Sequence, residues 1–448
     1  MVTDGPGTGA PPCAPTSRRA WVALLIIIGL ATAWRIAYVR HANPLPGGGD
    51  AVEYDIIATT LLQHGRFLTP AHGLPHGEYA VRTPGYPAFL AAIYWAGERW
   101  LGSEFGLLRP AQVALDLATL LLVFALARRL LGRRQALVAA GLYAAYPGFW
   151  WAASVAFTET VSIFLWAAAV LILTIGFEHR RARSFAVAGA ILGAAALVRP
   201  TGQGFVLFLL AALIAVYGAR DRRWLWHFLA FAVAFAAVTA PWAVRNYRIF
   251  HRPVGLSSFG GLNFFVGNCL PFHGMFRQAT YPMVNQITAG ASDEFQADRA
   301  LWRAGWRNIR SYLVHHPGDY AGLLWRKFHT FWAPYHGEAV IIGWRGRGLT
   351  GAQLHGALLL LGLVGLLVAA LSGRRYAPVF TAIAFINLVH VATIAEEGRY
   401  NLVVMPYVMI LAAAGLEWLF PGLFRADSGA EVPGSPSSAG RQPQADSG

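Results

Sequence analysis

Long apolar runs separated by short polar segments recur along most of the chain, as in Trp21 to Val39 and Leu358 to Leu371. A helix of roughly 20 apolar residues crosses the hydrocarbon core of a bilayer. The pattern predicts helices near residues 20–40, 85–101, 107–131, 135–153, 159–177, 184–198, 201–218, 224–242, 352–371, 377–395 and 400–420. The expected fold class is therefore an all-α integral membrane protein, a polytopic bundle of about eleven transmembrane helices.

Arginine clusters in short loops orient these helices. Each cluster separates two apolar runs, and the clusters are Arg128 to Arg134, Arg180 to Arg183, Arg220 to Arg223 and Arg374 to Arg375. Cytoplasmic loops carry an excess of basic residues, so these loops are expected in the cytoplasm. Residues 18–424 then form one multi-pass membrane domain with two outer loops, 41–84 and 243–350.

One pair of helices conflicts with this orientation. The helix at 20–40 leaves the membrane outward, so two full crossings at 85–101 and 107–131 would place Arg128 to Arg134 outside, against the rule. One helix of the pair is therefore expected to enter and leave by the same face. The sequence does not show which one.

Composition agrees with membrane embedding and excludes one class of partner. Of the 448 residues, 56% are hydrophobic and 13% are charged, which is more apolar surface than one soluble core needs. The net charge of +14 does not indicate nucleic-acid binding, because the arginines lie in short loops and not on a folded basic face with interleaved aromatics. Residues 1–17 and 425–448 are rich in Gly, Pro and Ser and are expected to be disordered cytoplasmic tails.

The two outer loops are too long and too polar to be simple connections. The first contains Gly47-Gly48-Gly49-Asp50 and an amphipathic pattern around Ile56 to Leu62, which predicts a helix at the membrane interface. The second contains tryptophans among many arginines, the mix expected of helices that contact lipid headgroups. Long structured loops often carry function.

Two acidic residues stand at outward helix ends. Asp50 follows three glycines directly after a membrane helix, where a carboxylate could act as a general base. It could equally be a helix cap in a glycine turn. Glu159 could be catalytic or a first-turn acid favoured by the helix dipole. Asp116 lies inside an apolar helix and is expected to hydrogen-bond a neighbouring helix.

Several basic and polar residues occupy the same outward positions. Arginine grips phosphate with two parallel hydrogen bonds, although it can also anchor lipid headgroups. The candidate substrate-binding residues are Glu53, Tyr54, Arg82, Arg199, Arg245, Asn246, Arg399 and Tyr400. Asp50, Glu53 and Glu159 could also converge on a divalent metal ion, but linear spacing does not show it, so metal dependence stays unknown.

The chain contains no Walker loop, no G-x-S-x-G elbow, no H-E-x-x-H motif and no cysteine-rich metal site. An enzyme without a nucleotide-binding fold that acts outside the cytoplasm cannot draw on nucleotide sugars or ATP. A lipid-linked donor fits that constraint.

Seven motifs, in order, carry a resemblance to a known family. They are Gly49-Asp50-x-x-x-Tyr54-x-x-x-Ala58, Arg82-x-Pro84-Gly85-Tyr86-Pro87, Pro147 followed by Thr158-Glu159, Arg199-Pro200, Pro241-Trp242-x-x-Arg245-Asn246-Tyr247, Gly260-Gly261-x-Asn263 with Gly267-Asn268, and Glu397-Gly398-Arg399-Tyr400 with Pro406. Together they resemble the bacterial family-39-type GT-C glycosyltransferases, relatives of the protein O-mannosyltransferases and the lipid A aminoarabinose transferases. The resemblance runs from about residue 20 to residue 420.

This resemblance implies a membrane glycosyltransferase. It would move a hexose or a pentose from a polyprenyl-phosphate donor to an acceptor on the non-cytoplasmic face of the cell (inner) membrane, with inversion at the anomeric carbon. Asp50 matches the family's catalytic acidic residue in the first outer loop, and its implied role is to deprotonate the acceptor. Glu159 matches the second outer acidic position, where the family often has Asp.

The acceptor stays open among a glycan, a lipid and a protein. Protein O-mannosyltransferases pair the first acidic residue closely with a second, whereas here Ala51 and Val52 separate Asp50 from Glu53, which weakens the case for protein. A transporter or lipid flippase is the main alternative, since the helix count fits, and a non-catalytic scaffold is a third. Transporters usually show internal repeats and helices broken at the midplane, whereas this sequence shows no internal repeat and its polar clusters lie at one face.

Overall fold

The structure is a computed structural model that describes residues 18–42, 49–68, 80–103, 105–218, 220–335, 340–344, 347–395 and 397–424. The predicted disordered tails, 1–17 and 425–448, lie outside the described residues, as do Gly47 and Gly48. The described residues are helical, with one addition that the sequence pattern did not predict. Strands β1 (Val340–Trp344) and β2 (Arg347–Thr350) form an antiparallel hairpin at the end of the second outer loop.

Each predicted apolar run contains a helix. These helices are α1 (Arg18–Val39), α3 (Gly85–Leu101), α4 (Leu108–Leu130), α5 (Arg133–Ala145), α7 (Glu159–His179), α8 (Ala182–Val198), α9 (Phe205–Tyr217), α10 (Arg223–Phe250), α15 (Gly351–Leu371), α16 (Ala377–Ala392) and α17 (Met405–Leu419). Within the described chain, six helical segments are long and apolar enough to cross a membrane, and α8, α16 and α17 are shorter apolar helices. The chain is a multi-pass membrane protein, and the count of about eleven crossings stays a prediction.

The outer segments are helical as well. They comprise α2 (Asp50–His64), α6 (Pro147–Ala152), α11 (Gly260–Gly267), α12 (Thr280–Thr288), α13 (Glu294–His315) and α14 (Pro317–Phe331). The predicted run 135–153 is divided into α5 and α6 because Tyr146, which precedes Pro147, has extended backbone. Helix α13 begins at a side-chain cap, where Asp293 accepts a hydrogen bond from the Gln296 N–H at 2.8 Å.

Polar contacts between helix termini define two opposite ends of the bundle. At the first, which we call the arginine end, Arg129 of α4 pairs with Glu178 of α7 at 2.6 Å, and Gln135 of α5 donates to Glu417 of α17. At the opposite end, which we call the site end, Gln112 of α4 donates to the Val155 carbonyl at 2.8 Å. The predicted cytoplasmic arginine clusters therefore border one end of the bundle.

Helix α3 begins and ends at the site end. Before its first residue, the Thr83 hydroxyl donates to the Val198 carbonyl at 3.1 Å, and Gly85 packs directly on the α8 backbone. Beyond its last residue, Arg109 at the start of α4 donates to the carbonyl of Ala42, which follows α1. Both ends of α3 therefore lie at the site end, as expected if α3 is the helix of the conflicting pair that enters and leaves by the same face.

A buried ion pair joins three helices inside the bundle. Arg35 of α1 donates to Asp116 of α4, and the Tyr143 hydroxyl of α5 donates to the second Asp116 oxygen at 2.6 Å. The same guanidinium donates to the Ala144 carbonyl at 3.0 Å. The predicted hydrogen bonding of Asp116 to a neighbouring helix is confirmed, and the paired charges explain how an acid is tolerated there.

Candidate functional site

Asp50 is the first residue of α2. The preceding Gly49 has φ +73°, a left-handed conformation that favours glycine and brings the chain abruptly into the helix. The Asp50 carboxylate binds two arginines: one oxygen lies 2.6 Å from Arg82 Nη2 and the other lies 3.1 Å from Arg399 Nη2. The glycine turn therefore presents a carboxylate to two cations.

Arg82 precedes α3 and binds both acids of the first turn of α2. Its Nε lies 2.8 Å from Glu53 Oε2 while its Nη2 holds Asp50. Its guanidinium also stacks on two rings, 5.2 Å from the Tyr54 centroid and 4.9 Å from the Phe259 centroid. Rings and carboxylates together hold this arginine in one orientation.

Glu159 is the first residue of α7 and is almost fully buried. Its Oε1 lies 2.9 Å from Arg199 Nη1, just beyond the end of α8, and 3.9 Å from Arg399 Nε. Thr158 does not cap the helix with its side chain. The structure therefore uses Glu159 to bind arginines that come from two other segments.

The acids and arginines alternate through the site. In spatial order they are Glu53, Arg82, Asp50, Arg399, Glu159 and Arg199, and we call these six residues the acid–arginine cluster. Asp50 is thus linked to Glu53 through Arg82 and to Glu159 through Arg399. Glu53 and Glu159 therefore each share an arginine with Asp50.

Tyr400 covers the cluster on one side. The guanidinium carbons of Arg199 and Arg399 lie 5.5 and 5.4 Å from its ring centroid, and Arg399 also lies 5.1 Å from that of Phe157. Arginine faces resting on aromatic rings keep their N–H edges free for acidic or phosphate oxygens.

Opposing effects set the charge of Asp50. Burial by itself raises the pKa of its carboxyl, but the positive charges of Arg82, Arg399 and Arg199 lower that pKa below its usual value. Burial raises the pKa of the neighbouring Tyr54 phenol. At neutral pH the cluster therefore holds an ionised Asp50 beside a protonated Tyr54.

Two predicted substrate-binding residues lie outside the cluster contacts. Arg245 rests on the rings of Trp242 and Phe67, 4.5 and 5.7 Å from their centroids, and donates to Asn246 Oδ1 at 3.1 Å. Asn246 is buried and donates to the Gly255 carbonyl at 3.1 Å. These contacts fix the turn after α10, and substrate binding by this pair stays a prediction.

Other residues at the site were not predicted. Glu397 Oε2 lies 3.0 Å from Arg399 Nε and is 45% exposed, so it is the acid most open to solvent here. Glu294 of α13 accepts from the Ala80 N–H at 2.5 Å and so holds the segment that carries Arg82. Glu397 stands in a quoted motif, but nothing in the local sequence signals the long-range contact of Glu294.

An apolar cavity lies between the end of α1 and α6. A cavity of about 450 Å³ is lined by Trp34, Ala37, Tyr38, His41, Ala42 and Trp150, from α1, the segment after it and α6. Tyr335 packs against Trp151, the neighbour of Trp150 in the chain, with ring centroids 4.6 Å apart, and its phenol interacts electrostatically with Arg399 and Tyr38. Part of a ligand held at the cluster could therefore lie against aromatic surface.

The described part of the chain contains no preformed group of metal ligands. There, no three His, Cys, Asp or Glu side chains lie close enough together to hold a metal ion. Asp50, Glu53 and Glu159 each face an arginine instead.

Comparison with known proteins bears on the family. Residues 86–244 match the family described as dolichyl-phosphate-mannose-protein mannosyltransferase. The predicted resemblance to this glycosyltransferase family is confirmed. The matched family consists of mannosyltransferases. The match therefore agrees with the predicted enzyme class and not with a transporter or flippase. It includes Glu159 and Arg199, whereas Asp50, Arg82 and Arg399 lie outside the matched residues.

Several solved structures align with most of this chain. The archaeal oligosaccharyltransferase AglB from Archaeoglobus fulgidus, in complex with an inhibitory peptide and a dolichol-phosphate, aligns with TM-score 0.55 at 17% identity, covering 91% of this chain and 51% of that one. The same enzyme in its apo form gives 0.56 at 17% identity, covering 90% and 51%. ArnT from Cupriavidus metallidurans bound to undecaprenyl phosphate gives 0.41 at 16% identity, covering 90% and 78%.

This chain spans about half the length of the oligosaccharyltransferase that it resembles. At these identities the likeness to AglB concerns the fold. No curated protein matches the chain significantly in sequence.

Proposed function

We propose that this protein transfers a sugar from a polyprenyl-phosphate donor to an acceptor on the non-cytoplasmic face of the cell membrane. The observation that carries the proposal is the acid–arginine cluster, in which an ionised Asp50 lies between Arg82 and Arg399 at the end of the bundle opposite the arginine loops. The family match supports a donor of this class, since the family is named for a dolichyl-phosphate sugar. The sugar is a hexose or a pentose.

The arginines bind the donor phosphate in this proposal. A sugar linked to polyprenyl phosphate is a phosphodiester with one negative charge, and the departing polyprenyl phosphate carries a second. Arg82 and Arg399 can exchange a carboxylate oxygen for a phosphate oxygen, because guanidinium binds both in the same paired geometry. Their attraction is stronger for the departing phosphate than for the donor, so it favours the transition state.

Asp50 acts as the general base. Its carboxylate takes the proton of the acceptor hydroxyl or amine while the acceptor oxygen or nitrogen attacks the anomeric carbon. The bond from that carbon to the phosphate oxygen breaks as the new bond forms on the opposite face, so the configuration inverts. Glu159, held by Arg199 and close to Arg399, orients the arginine shared with Asp50.

The acceptor is a glycan, a lipid or a protein. The aromatic cavity beside Tyr335 offers apolar surface for the lipid part of a substrate. Mass spectrometry of outer glycans, glycolipids and proteins from a deletion strain identifies the acceptor, because the unmodified species accumulates in that strain.

The test of the proposal is Asp50→Asn, which removes the base and keeps the side-chain shape. Vesicles containing the purified variant should insert and fold normally, and transfer from radiolabelled polyprenyl-phosphate hexoses or pentoses should fall by about 10²–10⁴-fold. Glu178→Gln, an acid paired with an arginine at the arginine end, is the matched control and should keep full activity. Transfer by Asp50→Asn at the wild-type rate would reject the assignment.

A further inference from the structure

Lys327 is the single lysine of the chain, among 36 lysine and arginine residues. It lies on α14 in the second outer loop, and only 1% of its surface is exposed. Its ammonium donates to the carbonyls of Gly267 at 2.9 Å and Thr393 at 3.3 Å, and it lies 3.5 Å from Asn268 Oδ1. An ammonium has three N–H donors, so these three oxygens match its full hydrogen-bonding capacity.

The acceptors of Lys327 belong to two helix ends. Gly267 is the last residue of α11, and Thr393 follows the last residue of α16. Carbonyl groups at helix C-termini lack helical partners and carry partial negative charge, so a cation is favourable there. Within the described residues, no carboxylate pairs with Lys327.

A lysine suits this place better than an arginine. Gly267 packs so closely on Thr393 that an added Cβ would overlap the Thr393 carbonyl, which leaves little room between the two helix ends. The ammonium of lysine is compact and can donate to both the Gly267 and the Thr393 carbonyl. The guanidinium of arginine is broader and directs its donors in one plane. Burial lowers the pKa of Lys327 to about 7, because removal from water disfavours the charged ammonium.

The clamped helix end leads directly to the acid–arginine cluster. Thr393 is followed by the short segment that carries Glu397 and Arg399. The other side of that segment is held by the end of α14 itself, where Asn401 donates to the carbonyls of Phe331 at 2.8 Å and Ala333 at 2.9 Å. Helix α14 thus grips the segment on both sides of Arg399.

We propose that Lys327 is a positioning residue that ties α11 and α16 to α14 and so holds Arg399 where it bridges Asp50 and Glu159. The proposal rests on the function proposed above for the acid–arginine cluster. Lys327 touches neither Asp50 nor Glu159 in the described contacts and acts through residues 393–401. Its removal should loosen that segment without unfolding the bundle.

The first test is independent of activity. Hydrogen–deuterium exchange of the purified protein in detergent should become at least about tenfold faster for the backbone amides of residues 393–403 in Lys327→Met, with the other helices unchanged. Lys327→Arg should restore the protection only in part. Arg326→Met removes the neighbouring exposed charge and should leave the exchange as in the wild type.

The second test asks whether the effect passes through Arg399. Binding of dodecaprenyl phosphate should weaken about tenfold in Lys327→Met and in Arg399→Gln, but the double variant should bind no more weakly than Arg399→Gln alone. Additive losses, or unchanged exchange at 393–403, would overturn the positioning role. If the wild type does not bind this probe, the function proposed above fails while the exchange experiment still decides the role of Lys327.

A second variant covers the case in which Lys327→Met does not fold. Lys327→Gln keeps two N–H donors, and the exchange and binding experiments are repeated with this variant. Failure of both variants to fold would also overturn the proposal, because a positioning residue leaves the fold intact.

Discussion

The two oxygens of Asp50 are bound by arginines from distant parts of the sequence, one before α3 and one before α17. This arrangement keeps the carboxylate ionised, but each arginine also weakens it as a base. When a donor phosphate draws the arginines toward itself, the carboxylate becomes more basic. In the proposed mechanism, donor binding therefore prepares the base for the acceptor.

Arg399→Gln tests this coupling. Removing one cation raises the pKa of Asp50, and the base must be ionised to act, so the acidic limb of the pH–activity profile should move to higher pH. Transfer at the optimum should fall on the order of 10²-fold, because phosphate stabilisation is also lost. The measurement is kcat/KM for sugar transfer from about pH 3 to pH 8, a range that includes the acidic limb expected of a carboxylate whose pKa is lowered.

The control for that profile is Arg252→Gln. Arg252 pairs with Asp293 at 3.2 Å, away from the acid–arginine cluster. Its variant should keep the position of the acidic limb. An Arg399→Gln limb that coincides with that of the wild type would mean that Asp50 is not the titrating base.

Outward helix ends in the sequence identified most of the cluster. Asp50, Arg82, Glu159, Arg199 and Arg399 all stand at such positions, and the fold brings them into contact. Arg245 and Asn246 stand at an equivalent position but contact Trp242 and Gly255 instead. The sequence pattern predicts at which end of the bundle a residue lies. Tertiary packing decides whether the side chain at that end faces the cluster or another segment.

At the scale of helices, glycines set how closely the elements pack. Gly365 of α15 faces the Leu411 carbonyl of α17, and Gly415 of α17 faces the Leu361 carbonyl of α15, so that neither position has room for a Cβ. Such contacts let two membrane helices approach each other backbone to backbone. Helix α17 follows the segment that carries Arg399.

Gly365→Ala should separate α15 from α17. The added methyl group overlaps a backbone carbonyl that cannot move alone, and we expect a destabilisation of about 1–3 kcal/mol or more. Gly356→Ala, on the same helix but facing open space, should be neutral or stabilising by up to about 1 kcal/mol. Thermal unfolding in detergent distinguishes the two, and equal melting temperatures would contradict the close packing.

Helix α13 carries a buried acid that makes the outer loop sensitive to pH. Burial raises the pKa of Asp298 to about 6, although its Oδ1 accepts the Gly261 N–H at 2.5 Å. Because the folded state binds this proton more tightly than the unfolded state, the stability that it contributes is complete below about pH 4 and is lost as the pH rises through about 6.

Asp298→Asn should remove that dependence. The amide keeps an oxygen for the Gly261 N–H and carries no charge, so melting temperatures at pH 5 and pH 8 should differ less than in the wild type. Asp319→Asn changes an exposed acid on α14 and should keep the wild-type difference. If the melting temperature fell from pH 5 to pH 8 as much in Asp298→Asn as in the wild type, groups other than Asp298 would dominate the pH dependence.

For the whole molecule, the sequence predicted the helices better than their paths. Apolar runs mark helices whatever their surroundings, and α3 was predicted at 85–101, where it is observed. Its path could not be predicted, because a run of 17 residues can either cross a membrane or lie beside it. The contacts that decide it, from Thr83 to Val198 and from Arg109 to Ala42, join segments far apart in the sequence.

The path of α3 determines the side of every later loop and is directly testable. In a background without the native cysteines, Ser103→Cys lies just after α3 and Arg181→Cys lies between α7 and α8 at the arginine end; both positions are exposed. A membrane-impermeant maleimide added outside should label Ser103→Cys in intact cells and Arg181→Cys only after permeabilisation. If α3 crossed the membrane, Ser103 would be protected. The Asp50 site would then no longer share one face with the start of α4, and the proposed orientation would fail.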